Sequence, residues 1–217
     1  MATYAIAPLG LNEASLAHTG TELRKDMMVF GEKVLQELRK QSEAASENLG
    51  MRFVVSERPG DDATSRLAEL DVEQYGKSTV SAQGGRNYPF YTDLPAAPLT
   101  SKIPLNERLT IEGMVQASTP GGHLATISVD SKVTSDALLS LTRQAAASGL
   151  RFMAYSGVYS FCKNCNRIIN GLVSSCNACA SDNVTHYGRS SSTYVPLALW
   201  PEGKKRTIEK RAVYSLS

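Results

Sequence analysis

Four regularly spaced cysteines constrain this chain more than any other feature. They are Cys162, Cys165, Cys176 and Cys179, the only cysteines among 217 residues, and they form two C-x2-C pairs separated by ten residues. Two such pairs present four thiolates from two tight turns, which suits the tetrahedral coordination of Zn²⁺ and fills its coordination shell. A filled shell leaves no open position for a substrate. The spacing therefore predicts a structural zinc site.

Two alternatives use the same cysteines differently. The first alternative is a pair of disulfide bonds, which would be expected in a secreted protein. Residues 1–7, however, have neither the basic region nor the long apolar run of a secretory signal. A redox-active pair is the other, and it would place one C-x2-C beside a βαβ unit rather than two across a hairpin. Asn170-Gly171, flanked by apolar residues, is a strong β-hairpin signal between the pairs. This segment favours a hairpin that joins two knuckles, as in a zinc ribbon.

Composition is typical of an ordinary globular protein. The chain is 42% hydrophobic with a formal net charge of +2, so it can bury a sizeable core and has no overall charge bias toward nucleic acid or membrane surfaces. No apolar run approaches the roughly 20 residues needed to span a bilayer. We therefore expect a cytoplasmic protein that makes no membrane contact.

Apolar periodicity before the cysteines predicts alternating strands and helices. Strands are predicted at residues 4–9, 51–56, 123–129 and 151–155. Helices are predicted at about residues 21–49, 63–70, 104–113 and 135–147. Such alternation from residue 4 to about residue 158 indicates an α/β domain with a largely parallel sheet.

The three histidines give a weaker functional signal. His18, His123 and His186 do not share a spacing typical of a metal site or a catalytic pair. A histidine in that setting is more often a surface or hydrogen-bonded residue than a catalyst. His123 is the strongest candidate of the three, because it follows Gly121-Gly122 at the start of a predicted strand, where the backbone can closely approach an anionic ligand.

Several short motifs occur along the chain in an order that matches one known family. They are Gly10-Leu-Asn-Glu-Ala14, Gly50-Met-Arg-Phe53, Arg66-Leu-Ala-Glu-Leu-Asp71, Tyr91-Thr92, Glu107-Arg-Leu-Thr-Ile-Glu-Gly113, Gly121-Gly122-His123, the four-cysteine segment and Gly203-Lys-Lys205. Together they resemble the C-terminal third of the anaerobic (class III) ribonucleoside-triphosphate reductases, glycyl-radical enzymes that make deoxynucleotides. The resemblance implies half of a glycyl-radical-type α/β barrel followed by the zinc ribbon. It also makes Tyr91, with Gly121, Gly122 and His123, a candidate for nucleotide or anion contact.

The resemblance further implies a radical chemistry for which this chain lacks the residues. The family forms a thiyl radical on a barrel-loop cysteine, using a glycyl radical in an R-x-x-G-Y motif just beyond the ribbon. All four cysteines here belong to the ribbon, and the matching segment, Gly188-Arg-Ser-Ser-Ser-Thr-Tyr194, has no glycine between its arginine and its tyrosine. A glycyl radical needs a planar Cα without a side chain, so Ser192 or Thr193 should not serve. We expect no catalytic residues and no reductase activity from the chain alone.

We expect three segments: an α/β reductase-like domain at residues 1–158, the zinc ribbon at 159–186 and a C-terminal arm with a basic tail at 187–217. In the family, nucleotide regulation and most of the substrate barrel lie upstream of the part matched from Met1 onward. Half a barrel exposes strand edges that something must cover. A protein partner or self-association is therefore expected, with this chain as a zinc-ribbon subunit or interaction module of a larger assembly.

A competing hypothesis is a nucleic-acid or ribonucleoprotein-binding protein derived from a reductase fragment. Its main support is a cluster of five cations within eight residues, Lys204, Lys205, Arg206, Lys210 and Arg211. Zinc ribbons beside basic segments often contact phosphates. The basic terminus of the family would account for the same residues without nucleic acid, so both interpretations stay open.

Overall fold

The structure is a computed structural model that describes residues 2–24, 26, 28–58, 60–85, 87–130, 132–190 and 193–216. Its strands are β1 (Thr3–Ile6), β2 (Arg52–Val55), β3 (Ala125–Ser128), β4 (Met153–Ser156), β5 (Tyr159–Cys162), β6 (Ile168–Asn170), β7 (Val184–Ser190) and β8 (Thr193–Pro196). Its helices are α1 (Leu11–Thr19), α2 (Met28–Leu49), α3 (Asp61–Tyr75), α4 (Leu105–Ser118), α5 (Ser135–Ala147) and α6 (Glu202–Lys205). The predicted alternation of strands and helices is confirmed, and α5 has the predicted bounds.

The first four strands form two parallel pairs. β1 pairs with β2, and β3 pairs with β4, in each case in parallel register. The predicted parallel pairing is therefore confirmed, but as two separate pairs rather than as one sheet. Backbone hydrogen bonds link the pairs, from Gly121 N to the Val55 carbonyl and from Glu57 N to the Gly122 carbonyl, each at 2.8 Å. Gly121 permits this approach, because a Cβ there would lie 2.7 Å from the Ser56 Cβ.

Helix α2 begins at Met28, later than the predicted residue 21. Residues 21–24, which precede it, are in neither a helix nor a strand; Leu23 among them is fully buried, and its backbone N–H donates to the Asn12 side chain at 3.0 Å. Leu23 lies against Gly31 of α2, where a Cβ would come within 2.9 Å of the leucine. The apolar stripe in the sequence thus continues to Leu23, a packed residue that lies outside α2. Lys25 and Met27, within the predicted helix, lie outside the described residues.

Helix α4 lies between two hydrophobic clusters and contributes to both. Ile111 and Val115 join the cluster formed by α1, α2 and β2, while Leu109 joins the cluster of β3, β4 and α5. These three side chains are at most 1% exposed. The α/β part is therefore organised around α4, which carries the motif Glu107 to Gly113.

The remaining strands form an antiparallel sheet in the order β6-β5-β7-β8. The β5–β6 hairpin reverses at Cys162–Cys165, because Phe161 pairs with Ile168 and Tyr159 with Asn170. The prediction of a hairpin turn at Asn170-Gly171 was wrong. Gly171 does have a positive φ of 84°, but it directly follows the last residue of β6, and the residues after it form no strand pairing before β7. The knuckle itself supplies the turn, with its own backbone hydrogen bonds.

The C-terminal arm returns to the α/β part. After α6 and short 3₁₀ turns, Tyr214 N donates to the Ser128 carbonyl at 2.9 Å, beside β3. Trp200, Leu197 and Ile208 form a small apolar cluster under the antiparallel sheet. The arm therefore contacts both parts of the fold, and the division at residues 158 and 186 stays a prediction. Among the described residues, no helix has the length and apolar character needed to cross a membrane.

Candidate metal centre

The four cysteines meet at one end of the antiparallel sheet. Their sulfur atoms all lie within 4.8 Å of one another. Cys162 Sγ is 3.7 Å from Cys179 Sγ, and Cys165 Sγ is 3.6 Å from Cys176 Sγ. A tetrahedral site with Zn–S bonds of about 2.3 Å has sulfur–sulfur edges of about 3.8 Å. The cluster can therefore hold a metal ion, and its size and all-sulfur ligand set fit Zn²⁺.

Local backbone geometry builds the first knuckle. Asn166 has a positive φ of 57°, and its N–H donates to the Cys162 carbonyl at 2.9 Å. The Cys162 N–H donates in turn to the Arg167 carbonyl at 2.9 Å. Asparagine tolerates the left-handed conformation better than most residues. This closed turn leads directly into β6.

The second knuckle repeats the pattern of the first. Ala180 also has a φ of 57° and donates its N–H to the Cys176 carbonyl at 2.9 Å, while the Cys176 N–H donates to the Ser181 carbonyl at 2.8 Å. Alanine in this conformation costs about 1–2 kcal/mol relative to glycine's freedom there. Equivalent turns around both pairs aim four sulfur atoms at one point.

N–H groups directed at sulfur favour the thiolate form that a metal requires. The backbone N–H of Ala178 lies 3.4 Å from the sulfur of Cys176 and lowers the pKa of that thiol. The Asn164 amide, 3.5 Å from the sulfur of Cys179, lowers the pKa of that thiol to about 6. Thiolates are the species that ligate zinc. Two of the four thiols are thus favoured as thiolates, whereas burial and the neighbouring cysteines raise the pKa of Cys165.

Little apolar surface supports this end of the sheet. Cys162 and Cys176 are buried beside Ile169, with Val173 and Val184 partly buried against them. So small a cluster supplies little hydrophobic stabilisation by itself, which is the usual situation in metal-stabilised ribbons.

His123 lies inside the protein rather than at an open surface. Its side chain is fully buried, with Nε2 2.5 Å from Glu112 and Nδ1 2.8 Å from Glu57. The Nδ1 contact has an ion-pair distance without the alignment of a hydrogen bond. Burial lowers the pKa of His123, but the two carboxylates outweigh it and raise the pKa to about 9. The ring is therefore held as an imidazolium between two glutamates.

Arg108 extends this buried charge cluster. Its guanidinium lies 3.4 Å from Glu112 and donates to the carbonyls of Ala97 and Pro98, each at 2.7 Å. Sequence reasoning missed these charged partners of His123. The spacing of Arg108 and Glu112 could have indicated part of this cluster. Residues four apart lie on the same face of a helix, and both belong to the motif Glu107 to Gly113. Contact of Gly121, Gly122 or His123 with an anion stays a prediction.

Tyr91 lies against other elements. Its hydroxyl donates to the Asp71 carboxylate of α3 at 2.6 Å. The next residue, Thr92, donates its hydroxyl and its N–H to the Glu13 carboxylate of α1, at 2.6 and 3.0 Å. The Tyr91-Thr92 motif therefore contacts both the motif that contains Glu13 and the motif that contains Asp71. Ligand contact at Tyr91 also stays a prediction.

Three cations of the basic tail are engaged with acidic side chains. Lys204 pairs with Asp93 at 2.7 Å. Arg206 and Lys205 lie 2.7 and 3.5 Å from Glu202 of the same short helix. These contacts offset part of the charge that suggested nucleic-acid binding.

The other two cations differ in exposure. Arg211 is partly buried, with its guanidinium carbon 5.0 Å from the centre of the Trp200 ring, and burial lowers its pKa to about 10. Lys210 is exposed. Contact of the tail with nucleic acid stays a prediction.

The segment that resembles the radical motif joins two strands. Arg189 pairs with Tyr194, and Ser190 with Thr193, as β7 and β8 run antiparallel. Thr193 is exposed at the start of β8. Ser192, the other residue considered for the radical position, lies outside the described residues with Ser191.

Comparison with known proteins extends these observations. A family model for anaerobic ribonucleoside-triphosphate reductase matches residues 1–214. No curated protein matches the chain. A solved anaerobic ribonucleotide reductase has a TM-score of 0.79 at 18% identity, covering 99% of this chain and 34% of that chain. The Thermotoga maritima anaerobic ribonucleotide reductase in complex with dATP and CTP has a TM-score of 0.75 at 20% identity, covering 96% of this chain and 33% of that one.

At these identities the similarity to solved structures concerns the fold. This chain spans about a third of the length of the reductases it matches. The family match, in contrast, extends over almost every residue. The chain belongs to the anaerobic ribonucleoside-triphosphate reductase family.

Proposed function

We propose that this chain is a non-catalytic, zinc-stabilised part of an anaerobic ribonucleotide reductase assembly whose radical chemistry comes from a protein partner. The observation that carries the proposal is the convergence of all four cysteines on one cluster. A thiyl radical needs a cysteine outside a metal site, and this sequence contains none. Zinc, when bound, would supply a structural cross-link between the two knuckles.

The radical-carrying position supports the same conclusion. Thr193 precedes Tyr194 where the family's motif has its glycine. A threonine side chain prevents the planar Cα on which a glycyl radical depends. The partner would therefore supply both the glycine and the reactive cysteine.

Exposure of the parallel strands supports a protein partner. Parallel strands are normally covered on both faces. In β1, however, Thr3, Tyr4 and Ala5 are exposed, and Tyr4 retains 48% of its surface. Phe152, immediately before β4, retains 62%. The exposed part of β1 and the exposed Phe152 before β4 are the two places that we expect the partner to cover.

Affinity purification of the native protein from its own cells, at low and high salt, tests the proposal. The expected result is a salt-stable polypeptide that carries a cysteine-bearing barrel and an R-x-x-G-Y motif, identified by mass spectrometry. Tyr4→Asp should release this polypeptide. Tyr75→Asp, which changes another exposed tyrosine, on α3, should retain it.

Other results would count against the proposal. Light scattering that shows a monomer, together with no salt-stable polypeptide, would exclude both a partner and self-association. Ribonucleotide reduction by the purified chain alone would exclude a non-catalytic role. Metal analysis of the same sample tests the zinc site separately, with one zinc per chain expected.

A further inference from the structure

A cavity of about 520 Å³ lies where the α/β part, the antiparallel sheet and the C-terminal arm meet. Ser128 and Ser156, the last residues of β3 and β4, both line it, and they are paired in the parallel register of the two strands. Ligands of α/β proteins commonly bind outside the carboxyl ends of parallel strands. The volume is within the usual range for small-molecule sites. Position and size therefore suit a small ligand.

The hydroxyl groups of these two serines have no hydrogen-bond partner among the described residues. Ser128 and Ser156 are only 7% and 4% exposed. Each hydroxyl oxygen nevertheless keeps some accessible surface, and the cavity is the space beside it. A hydroxyl that leaves bulk water without gaining a partner costs free energy. A ligand with acceptor oxygens would satisfy both groups.

Arg211 contributes a positive charge to the same cavity. Among the described residues, no carboxylate lies within ion-pair distance of its guanidinium, and its one hydrogen bond is long, 3.4 Å from Nη1 to the Arg189 carbonyl. Desolvation lowers the pKa of Arg211 more than the attraction of Asp93 raises it, and Asp93 already pairs with Lys204 at 2.7 Å. The guanidinium thus lacks the counter-ion that an anionic ligand would provide.

The rest of the lining favours a monoanion with an apolar body. Asp130 is the one acid among the described residues that line the cavity, and its carboxylate accepts the N–H of Lys132 at 2.8 Å. One cation and one acid leave no excess charge for a dianion. Apolar contact surface comes from Val129, Val133, Val158, Ile208 and Val213. The planar guanidinium of Arg211 matches the two oxygens of a carboxylate.

The cavity lies away from the cysteine cluster. Val158 and Asn170 line it at one end of the β5–β6 hairpin, whereas Cys162 and Cys165 lie at the other end. The negative charge of zinc-bound thiolates is therefore not part of its lining. The cavity is also at the opposite end of β4 from Phe152, so the site does not depend on the proposed reductase partner.

We propose that this cavity binds a small organic carboxylate, whose anionic group pairs with Arg211 and whose oxygens accept hydrogen bonds from Ser128 and Ser156. The guanidinium and the two hydroxyls are complementary to such a ligand, because all three donate hydrogen bonds and none has an adequate acceptor within the protein. The apolar part of the ligand contacts the valines that line the cavity.

Trp200 provides a reporter for the test. It is the only tryptophan of the chain, and its ring centre lies 5.0 Å from the Arg211 guanidinium carbon. The full zinc-loaded chain is titrated with benzoate, hexanoate and phenyl phosphate in a buffer without other carboxylates or phosphate. Tryptophan fluorescence and isothermal titration calorimetry follow the binding. We expect saturable binding of a carboxylate with a dissociation constant on the order of 1 mM or lower, and weaker binding of phenyl phosphate.

Matched variants separate this site from overall charge. Arg211→Gln should weaken carboxylate binding at least about tenfold, because charge-assisted hydrogen bonds are lost. Lys210→Gln removes the same charge from the exposed neighbouring residue, which does not line the cavity, and should leave the affinity unchanged. Ser128→Ala and Ser156→Ala should each weaken binding about three- to tenfold. Unchanged circular dichroism and zinc content would establish that each variant folds.

Four results would overturn the proposal. One is the absence of saturable binding by either carboxylate up to about 10 mM. Equal losses in Arg211→Gln and Lys210→Gln would show a general effect of charge. Tighter binding of phenyl phosphate than of both carboxylates would assign the cavity to a phosphate ester. Unchanged affinity in both serine variants would mean that the hydroxyls contact water only.

Discussion

The imidazole of His123 lies 2.5 Å from the carboxylate of Glu112, inside the protein and away from any open surface. Glu57, after β2, contacts the other ring nitrogen, and its carboxylate also accepts the N–H of Leu124 at 2.9 Å. The histidine thus connects the end of β2, the middle of α4 and the start of β3. Arg108 and the imidazolium balance the two buried carboxylates, which lowers the cost of burying each charge.

This cluster predicts loss of stability at alkaline pH. The pKa of His123 is raised from 6.5 to about 9. Because the folded pKa exceeds the unfolded value, the stabilisation is fully present below about pH 6.5 and is lost as pH rises through about 9. Its size is on the order of 3 kcal/mol. Between about pH 6 and 10, the melting temperature of the unmodified protein should therefore decrease more than that of His123→Gln. Parallel curves for the two proteins would contradict the assignment.

Loss of one thiolate should unfold the sheet end without affecting the α/β part. In Cys176→Ser, or equally Cys162→Ser, the small cluster around Ile169 has no metal to hold it, so bound zinc and hydrogen-exchange protection in β5 to β7 should disappear. Metal analysis and hydrogen exchange give the two readouts. Ser175→Ala, an exposed neighbour in the same loop, is the control. Full zinc content and an unchanged melting profile in Cys176→Ser would refute the site.

The second knuckle can be stabilised by one substitution. Ala180→Gly should raise stability by about 0.5–1 kcal/mol, because glycine adopts the positive φ of 57° without steric cost and loses only part of that gain as unfolded-chain entropy. Ala178→Gly, in the same loop but without a positive φ, should be destabilising. Chelator-dependent thermal unfolding compares the two. A lower melting temperature for Ala180→Gly would mean that the knuckle differs from the one described.

The contact between the two strand pairs should be intolerant of any side chain at Gly121. In Gly121→Ala the new Cβ would lie 2.8 Å from the Val55 carbonyl oxygen, so backbone must move. We expect a loss of about 2 kcal/mol or more in unfolding free energy. Gly157→Ala, where nothing lies within 4 Å of the added atom, is the matched control. Urea denaturation of both variants measures the difference, and equal stabilities would place the strand pairs further apart.

Local patterns in the sequence predicted much of this protein. The cysteine spacing indicated a metal cluster, and the sulfur positions agree with it. Helix α5 spans the predicted residues 135–147, although its first turn is capped by Thr134 and not, as the sequence suggested, by Ser135-Asp136. Patterns of this kind depend on residues close together in sequence, so one chain carries enough information to identify them.

Tertiary structure alone decided where the β-hairpin reverses and which charges are buried. The Asn170-Gly171 signal was overridden because hydrogen bonds within the first knuckle supply the turn and long-range pairing with β7 sets the register. The partners of His123 lie 11 and 66 residues away in sequence, at Glu112 and Glu57. From sequence alone, an Asp or Glu side chain is predicted to be exposed to solvent. Its burial beside a cation depends on how distant elements pack together. The sequence by itself determined the cysteine cluster and the family, while the buried charge cluster required the fold.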